Sequence, residues 1–191
     1  MKLRLKLHSV KEKRKEEKEE KEILDLNLEF FKKLAESIED FELPEGWLEI
    51  ERYPVYDYYA FSEIYIVSRE ATNEIMYFVV EPKLDEKEKK IVKEILSKLE
   101  YLPIDPTEMK ITNKIDILKE KTDQILRDFR INLEEEEYYK VFYYILRDTV
   151  LYSKITPLML DRMLEDISCN GYNKPIYVFH RNYTNLKTNI S

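Results

Sequence analysis

Two glycines in 191 residues, Gly46 and Gly171, are the tightest constraint on what this chain can fold into. Nucleotide sites built from backbone amides need glycines close together, because the chain must turn sharply and approach phosphate closely. A P-loop requires two glycines five residues apart, followed by Lys and Ser or Thr. A dinucleotide fingerprint requires three in a short run. Gly46 is followed by Trp47 and Gly171 by Tyr172, so the chain carries neither motif.

Composition narrows the classes further. Hydrophobic residues make up 43% and charged residues 37%, enough for a core beneath a heavily ionised surface. The net charge of −7 argues against duplex DNA as the main partner, and no nucleic-acid partner is expected. A single cysteine excludes an internal disulfide and fits a reducing compartment; no secretory signal is visible. The longest apolar runs, "IMYFVV" and "VFYYIL", are far short of the roughly 20 residues of a membrane span. High Lys and Glu with one glutamine, Gln124, leans towards a thermophile.

The amino-terminal "MKLRLKL" alternates with a strand period, but nothing nearby obviously pairs with it, and a frayed terminus is the preferred reading. "KEKRKEEKEEKE" has no apolar face and reads as a spacer, so residues 1–23 form a charged arm. Leu28, Phe31, Leu34, Ile38 and Phe41 predict an amphipathic helix that ends at "LPEGW". "FSEIYIV" and "EIMYFVV" predict strands joined through "SREATN". The tyrosine-rich "RYPVYDYYAF" before them reads as sheet packing with hydroxyls at the rim, with a binding face as the alternative. Asp85 and Glu88 fit a capping box ahead of a helix striped by Ile91, Ile95 and Leu99.

Two longer helices are expected, from about Thr107 to Ile131 and from about Glu134 to Tyr152. Ile115, Leu118, Ile125 and Phe129 lie on or near one face of the first. The acidic run Glu134 to Glu137 suits the N-terminus of the second through the helix dipole. Thr156 and Pro157 predict a further helix start, with Leu160, Leu164 and Ile167 continuing it to Ser168. Asn170 and Gly171 stop it, and Pro175 to Arg181 alternate as a strand returning through "NYTN" to "LKTNI". A hairpin that stops at Ile190 needs further strands or a helix: either it packs on the preceding helices, or it belongs to a domain that this chain does not complete, and the second option suggests a fragment or a split gene product.

One stretch, "LEDISCNGYNKPIYVFHR", concentrates residue types that do chemistry. Zinc normally takes three or four ligands in paired spacings, which Cys169 and His180 alone do not supply. A Cys169–His180 nucleophilic pair has no evident third group to orient it. Asp161 and Glu165 share a helix face at i, i+4, while Glu165 and Asp166 do not face each other, so a solvated or subunit-facing acidic helix is preferred to acid–base catalysis. Gly171 reads as the turn and Cys169 as a small packing residue, mostly buried. His180 and Arg181 close the strand.

Taken whole, "PLMLDRMLEDISCNGYNKPIYVFHRNYTNLKTN" resembles the N-terminal domain of archaeal type II/IV secretion-system ATPases, which include the archaellum and type IV pilus motors. "YFVVEPKLDEKE" resembles the same family's strand, Glu-Pro and helix signature. Arg162 departs from the proline expected after the aspartate. The family signature falls on Glu81, Pro82, Asp161, Glu165, Asp166, Cys169, Gly171, His180, Arg181, Thr188 and Asn189.

The resemblance implies an α+β chain. A helix-rich domain with a small antiparallel sheet and a helical bundle would span residues 24–152, and residues 153–191 would begin a second, PAS-like subdomain. It implies no catalytic residue and no cofactor in this chain, since ATP and magnesium belong to the family's motor domain. It implies a hexamer in the full-length family, docking to membrane platform and accessory proteins, and contact with motor domains of the same or a neighbouring subunit. It also implies a cytoplasmic protein held peripherally at the membrane by its partners. The helices from Leu24 to Phe41 and Thr107 to Tyr152 would carry the docking surface. A freestanding adaptor that keeps the domain without a motor is the alternative.

Overall fold

The computed structural model describes residues 30, 31, 34, 35, 38, 41–57, 60–99 and 111–191. The expected arm over 1–23 and the "MKLRLKL" segment lie outside the described residues. Phe30, Phe31, Leu34 and Ala35 are helical, and Phe30, Leu34 and Ile38 are buried, as the apolar stripe of the first helix requires.

Strands β1 (Leu48–Asp57), β2 (Ala60–Arg69) and β3 (Glu74–Val80) form an antiparallel meander. The β2–β3 turn passes through Asn73 in the left-handed region (φ 52), a conformation asparagine tolerates better than most residues. Helix α1 (Glu86–Leu99) starts at the expected capping box. The Glu88 N–H donates to Asp85 Oδ1 at 2.7 Å, and the Asp85 N–H donates to Glu88 Oε2 at 2.7 Å.

Helix α2 (Ile111–Asp128) follows. It ends where Arg130 takes a φ of 53 and the Ile131 N–H reaches back to the Leu126 carbonyl, closing the last turn. Phe129, expected near the apolar face, is exposed there and lies under the Lys98 ammonium at 3.7 Å. Helix α3 (Glu135–Thr149) buries Val141, Phe142, Tyr143, Ile145 and Leu146. A 3₁₀ turn (Ser153–Ile155) leads into the short helix α4 (Thr156–Leu160).

The expected continuation of that helix to Ser168 is not found. The chain turns at Asp161, and Leu164–Cys169 is strand β4. The Asp161 carboxylate accepts from the Met163 N–H at 2.7 Å, a local bond that competes with helix continuation. The apolar spacing is helix-like because β4 shifts register between Leu164 and Asp166. One extra residue in a strand puts positions three apart on the same face, so Leu164 and Ile167 imitate a helical stripe. Asp161 and Glu165 therefore share no helix face.

Strands β5 (Ile176–His180) and β6 (Thr184–Thr188) complete a six-stranded mixed sheet in the order β1-β2-β3-β6-β5-β4. Four of the five neighbouring pairs join strands consecutive in sequence; in the fifth, β6 lies parallel to β3, with Met76 opposite Lys187 and Tyr77 opposite Thr188. Strands from both sides of residue 152 thus belong to one sheet, and the molecule is α+β.

The sheet is strongly curled. Four strand spacings separate β1 from β5, roughly 19 Å in a flat sheet. Yet the Tyr53 hydroxyl on β1 lies 3.1 Å from His180 Nε2 on β5. Register shifts in β1 and β4, the two edge strands, accompany this curvature. The outer face of β2 and β3 packs beneath α1–α3, with Tyr65, Val67 and Met76 meeting Ile95, Leu118 and Phe142 in one core. The inner face encloses a second core, in which Val55, Ile64, Ile66 and Tyr77 gather with Val178, Leu186 and Leu158 of α4.

Candidate functional site

At one end of the inner core Asp161 and His180 are buried together. Asp161 caps the end of α4 and points into the curl. Its Oδ2 accepts from the Tyr53 hydroxyl at 2.8 Å and from the Tyr77 hydroxyl at 2.6 Å, while its Oδ1 accepts from the Met163 N–H. Both tyrosines lie on the inner face because alternation along β1 and β3 puts them there, beside Val55 and Val79. Burial, and then the neighbouring Asp161 charge, push both phenols far above their usual range, so both stay neutral donors.

His180 closes β5. Its Nδ1 accepts from the Asn182 N–H at 3.1 Å, and a backbone amide can only donate. The ring proton therefore sits on Nε2, which donates to the Tyr53 oxygen at 3.1 Å. The result is a directed chain: His180 to Tyr53, Tyr53 to Asp161, with Tyr77 converging on the same carboxylate. Burial holds the His180 pKa below its ordinary value, although Asp161 and Glu51 pull the other way.

Glu81 anchors a second polar group at the C-terminal end of β3. It accepts from Arg147 Nη1 through both oxygens, at 3.0 and 2.9 Å, and from the Tyr143 hydroxyl. The Arg147 guanidinium also donates to Asp148 at 2.8 and 3.1 Å and lies 4.5 Å from the centre of the Tyr144 ring. Burial opposes the Arg147 charge, but Asp148 and Glu81 outweigh it and hold its pKa above the usual value. The carbonyl of Pro82 accepts from the Tyr144 hydroxyl at 2.7 Å.

Asn189 extends the β3–β6 ladder by one step. Its Oδ1 accepts from the Val79 N–H at 2.8 Å and its Nδ2 donates to the Val79 carbonyl at 2.9 Å, so a side-chain amide takes the place of a strand partner. Thr188, buried beside it, bridges to Ile190. A cavity of about 240 Å³ at this junction is lined by Glu81, Arg147, Lys154 and Asn189, among others.

The remaining residues singled out from the sequence are surface features. Glu165 and Asp166 are exposed on the edge strand β4, and Glu165 faces Arg181 at 3.5 Å. Gly171 forms the β4–β5 turn with a φ of 123, which side chains rarely adopt. Cys169, expected to be buried, is exposed, because the last residue of an edge strand has no layer above it. Cys169 and His180 share no bond, and among the described residues no group of three or more His, Cys, Asp or Glu could hold a metal ion.

The structure thus joins Asp161 to His180, Glu165 to Arg181, and Glu81 to the neighbourhood of Asn189. Sequence reasoning missed Tyr53, Tyr77, Tyr143 and Arg147. Arg147 carried a readable signal: it falls four residues after Tyr143 on the buried stripe of α3, and a charge in such a stripe requires a partner.

Fold and polar groups together define an α+β chain built on one curled sheet whose distant segments are tied through Asp161, Glu81 and Asn189. No family model matches it. Over 115 residues it is 41% identical to the uncharacterized protein MJ1288 of Methanocaldococcus jannaschii, a match covering 60% of this chain and 46% of that protein. The chain therefore spans under half the length of this relative. No helix among the described residues is long and apolar enough to cross a membrane.

Proposed function

We propose that this chain is a docking and transmission module, of the kind found in the N-terminal region of archaeal type II/IV secretion-system ATPases. The observation that carries the reading is mechanical. Glu81 ties β3 to α3, Asn189 ties β6 to β3, and Asp161 ties α4 to β1 and β3. A helical layer and a carboxy-terminal hairpin bound in this way move as one body, which is what a part that relays motion needs. The positions that resemble the family signature include three of these ties, and the archaeal relative is consistent with that source. In this reading the chain works at the cytoplasmic side of the membrane, held there by a platform protein, next to a motor domain that hydrolyses ATP.

Purified chain should neither hydrolyse ATP nor bind it tightly, and it should be retained by a membrane platform protein or by a RecA-like motor domain supplied in pure form. Robust turnover would overturn the assignment of catalysis to another domain. Failure to bind either partner would overturn the docking role. Capture of the platform protein with no motor present favours the freestanding adaptor.

A further inference from the structure

His180 is fully buried, yet its ring holds the β5–β6 turn by a bond that can exist in only one protonation state. The turn runs from Arg181 to Tyr183. The Asn182 N–H donates to His180 Nδ1, the Tyr183 ring packs 5.2 Å from the His180 ring, and Tyr183 hydrogen-bonds Glu51 on β1. We infer that His180 is a proton-operated latch between this turn and β1. A proton added at Nδ1 sets two donors against each other across 3.1 Å, so the Asn182 bond is lost and the turn must move away from the ring. Tyr183 then leaves Glu51, and one closure of the curled sheet opens. The inference is independent of what the chain docks to.

The groups facing the ring come from every element packed on it. Asp161 at the end of α4 and Glu51 on β1 are acidic and favour protonation. Tyr53 on β1 and Tyr77 on β3 have phenol pKa values far above the usual range and present neutral hydroxyls. Arg181, the next residue in the chain, is turned outward against Glu165. Burial outweighs the two acids, so the folded protein takes up this proton less readily than the unfolded chain does. The sign follows. The stability that neutral His180 contributes is present above the ordinary histidine pKa of about 6.5, and it is lost as the pH falls below that value towards the folded pKa.

Nitrogen-15 NMR of the full chain from pH 8 to pH 4.5 tests the latch, with His8→Gln assigning the ring signals. At neutral pH His180 should show the Nε2–H tautomer, and its titration midpoint should lie below 6.5. Exchange of the Asn182 amide, corrected for intrinsic rate, should rise at least ~10-fold through that midpoint while the amides of Ile95, Leu118 and Ile145 keep their protection. In His180→Asn the side-chain carbonyl can accept the same N–H two residues on without titrating, so Asn182 protection should lose its pH dependence. An Nδ1–H tautomer at neutral pH, or Asn182 protection that is unchanged while His180 titrates, overturns the inference. The wild-type titration decides on its own if His180→Asn does not fold.

Discussion

A carboxylate that accepts from Tyr53, Tyr77 and the Met163 amide is held by all three, and each depends on it in turn. Asp161→Leu would leave two tyrosine hydroxyls without their acceptor at the end of an apolar core. We expect a loss of about 3 kcal/mol, read from urea unfolding, against about 1 kcal/mol for Tyr77→Phe, which removes one donor and leaves the acceptor served by two others. Equal effects would mean that Asp161 matters only through Tyr77. Asp161 and Glu81 stand among the residues singled out in the sequence, but their partners do not. The tyrosines of "RYPVYDYYAF" read alike in sequence. In the fold Tyr53 is drawn into the curl, whereas Tyr56, three positions on, is 58% exposed on the opposite face.

Elements were legible where their signals are local. The Asp85–Glu88 box starts α1 as its spacing predicts, and Asp85→Ala should cost about 1 kcal/mol, seen as a lower denaturation midpoint with an unchanged slope. The strands β2 and β3 were likewise readable, from their runs of β-branched and aromatic residues. β4 was not, because its register shift gives the apolar residues a helical spacing. The β3–β6 pairing is also invisible locally, since Asn189 and Val79 are 110 residues apart. Asn189→Ala removes both amide bonds of that clamp. Hydrogen exchange at Val79 should quicken at least ~10-fold while exchange in α1 is unaffected, and unchanged exchange at Val79 would show that the clamp carries no load.

For the whole molecule, the consequence of one continuous sheet is one unfolding transition. Trp47, the chain's single tryptophan, lies beside Phe78 of β3 and Arg69 of β2, so its fluorescence reports the meander. Hydrogen exchange at Val178 and Leu186 reports the carboxy-terminal hairpin. The two midpoints in denaturant should coincide. A hairpin that melts well before Trp47 responds would instead divide the chain near residue 152, the boundary expected from sequence, and would remove the rigidity on which the transmission role rests.

The sequence by itself determined the glycine-poor backbone that rules out the two backbone-cradled nucleotide motifs, the helical stripes of α1 to α3, the Asp85–Glu88 cap of α1, and the β2–β3 hairpin. These rest on interactions between residues a few positions apart, so their energetics can be read along the chain. Only the tertiary structure decided that β6 joins β3, that Leu164–Cys169 is a strand, and that Asp161 and His180 are inside while Cys169 is outside. Alternation tells that a strand has two faces. Which face is buried, and which polar group must therefore find a partner, depends on how the sheet curls and on residues more than a hundred positions away.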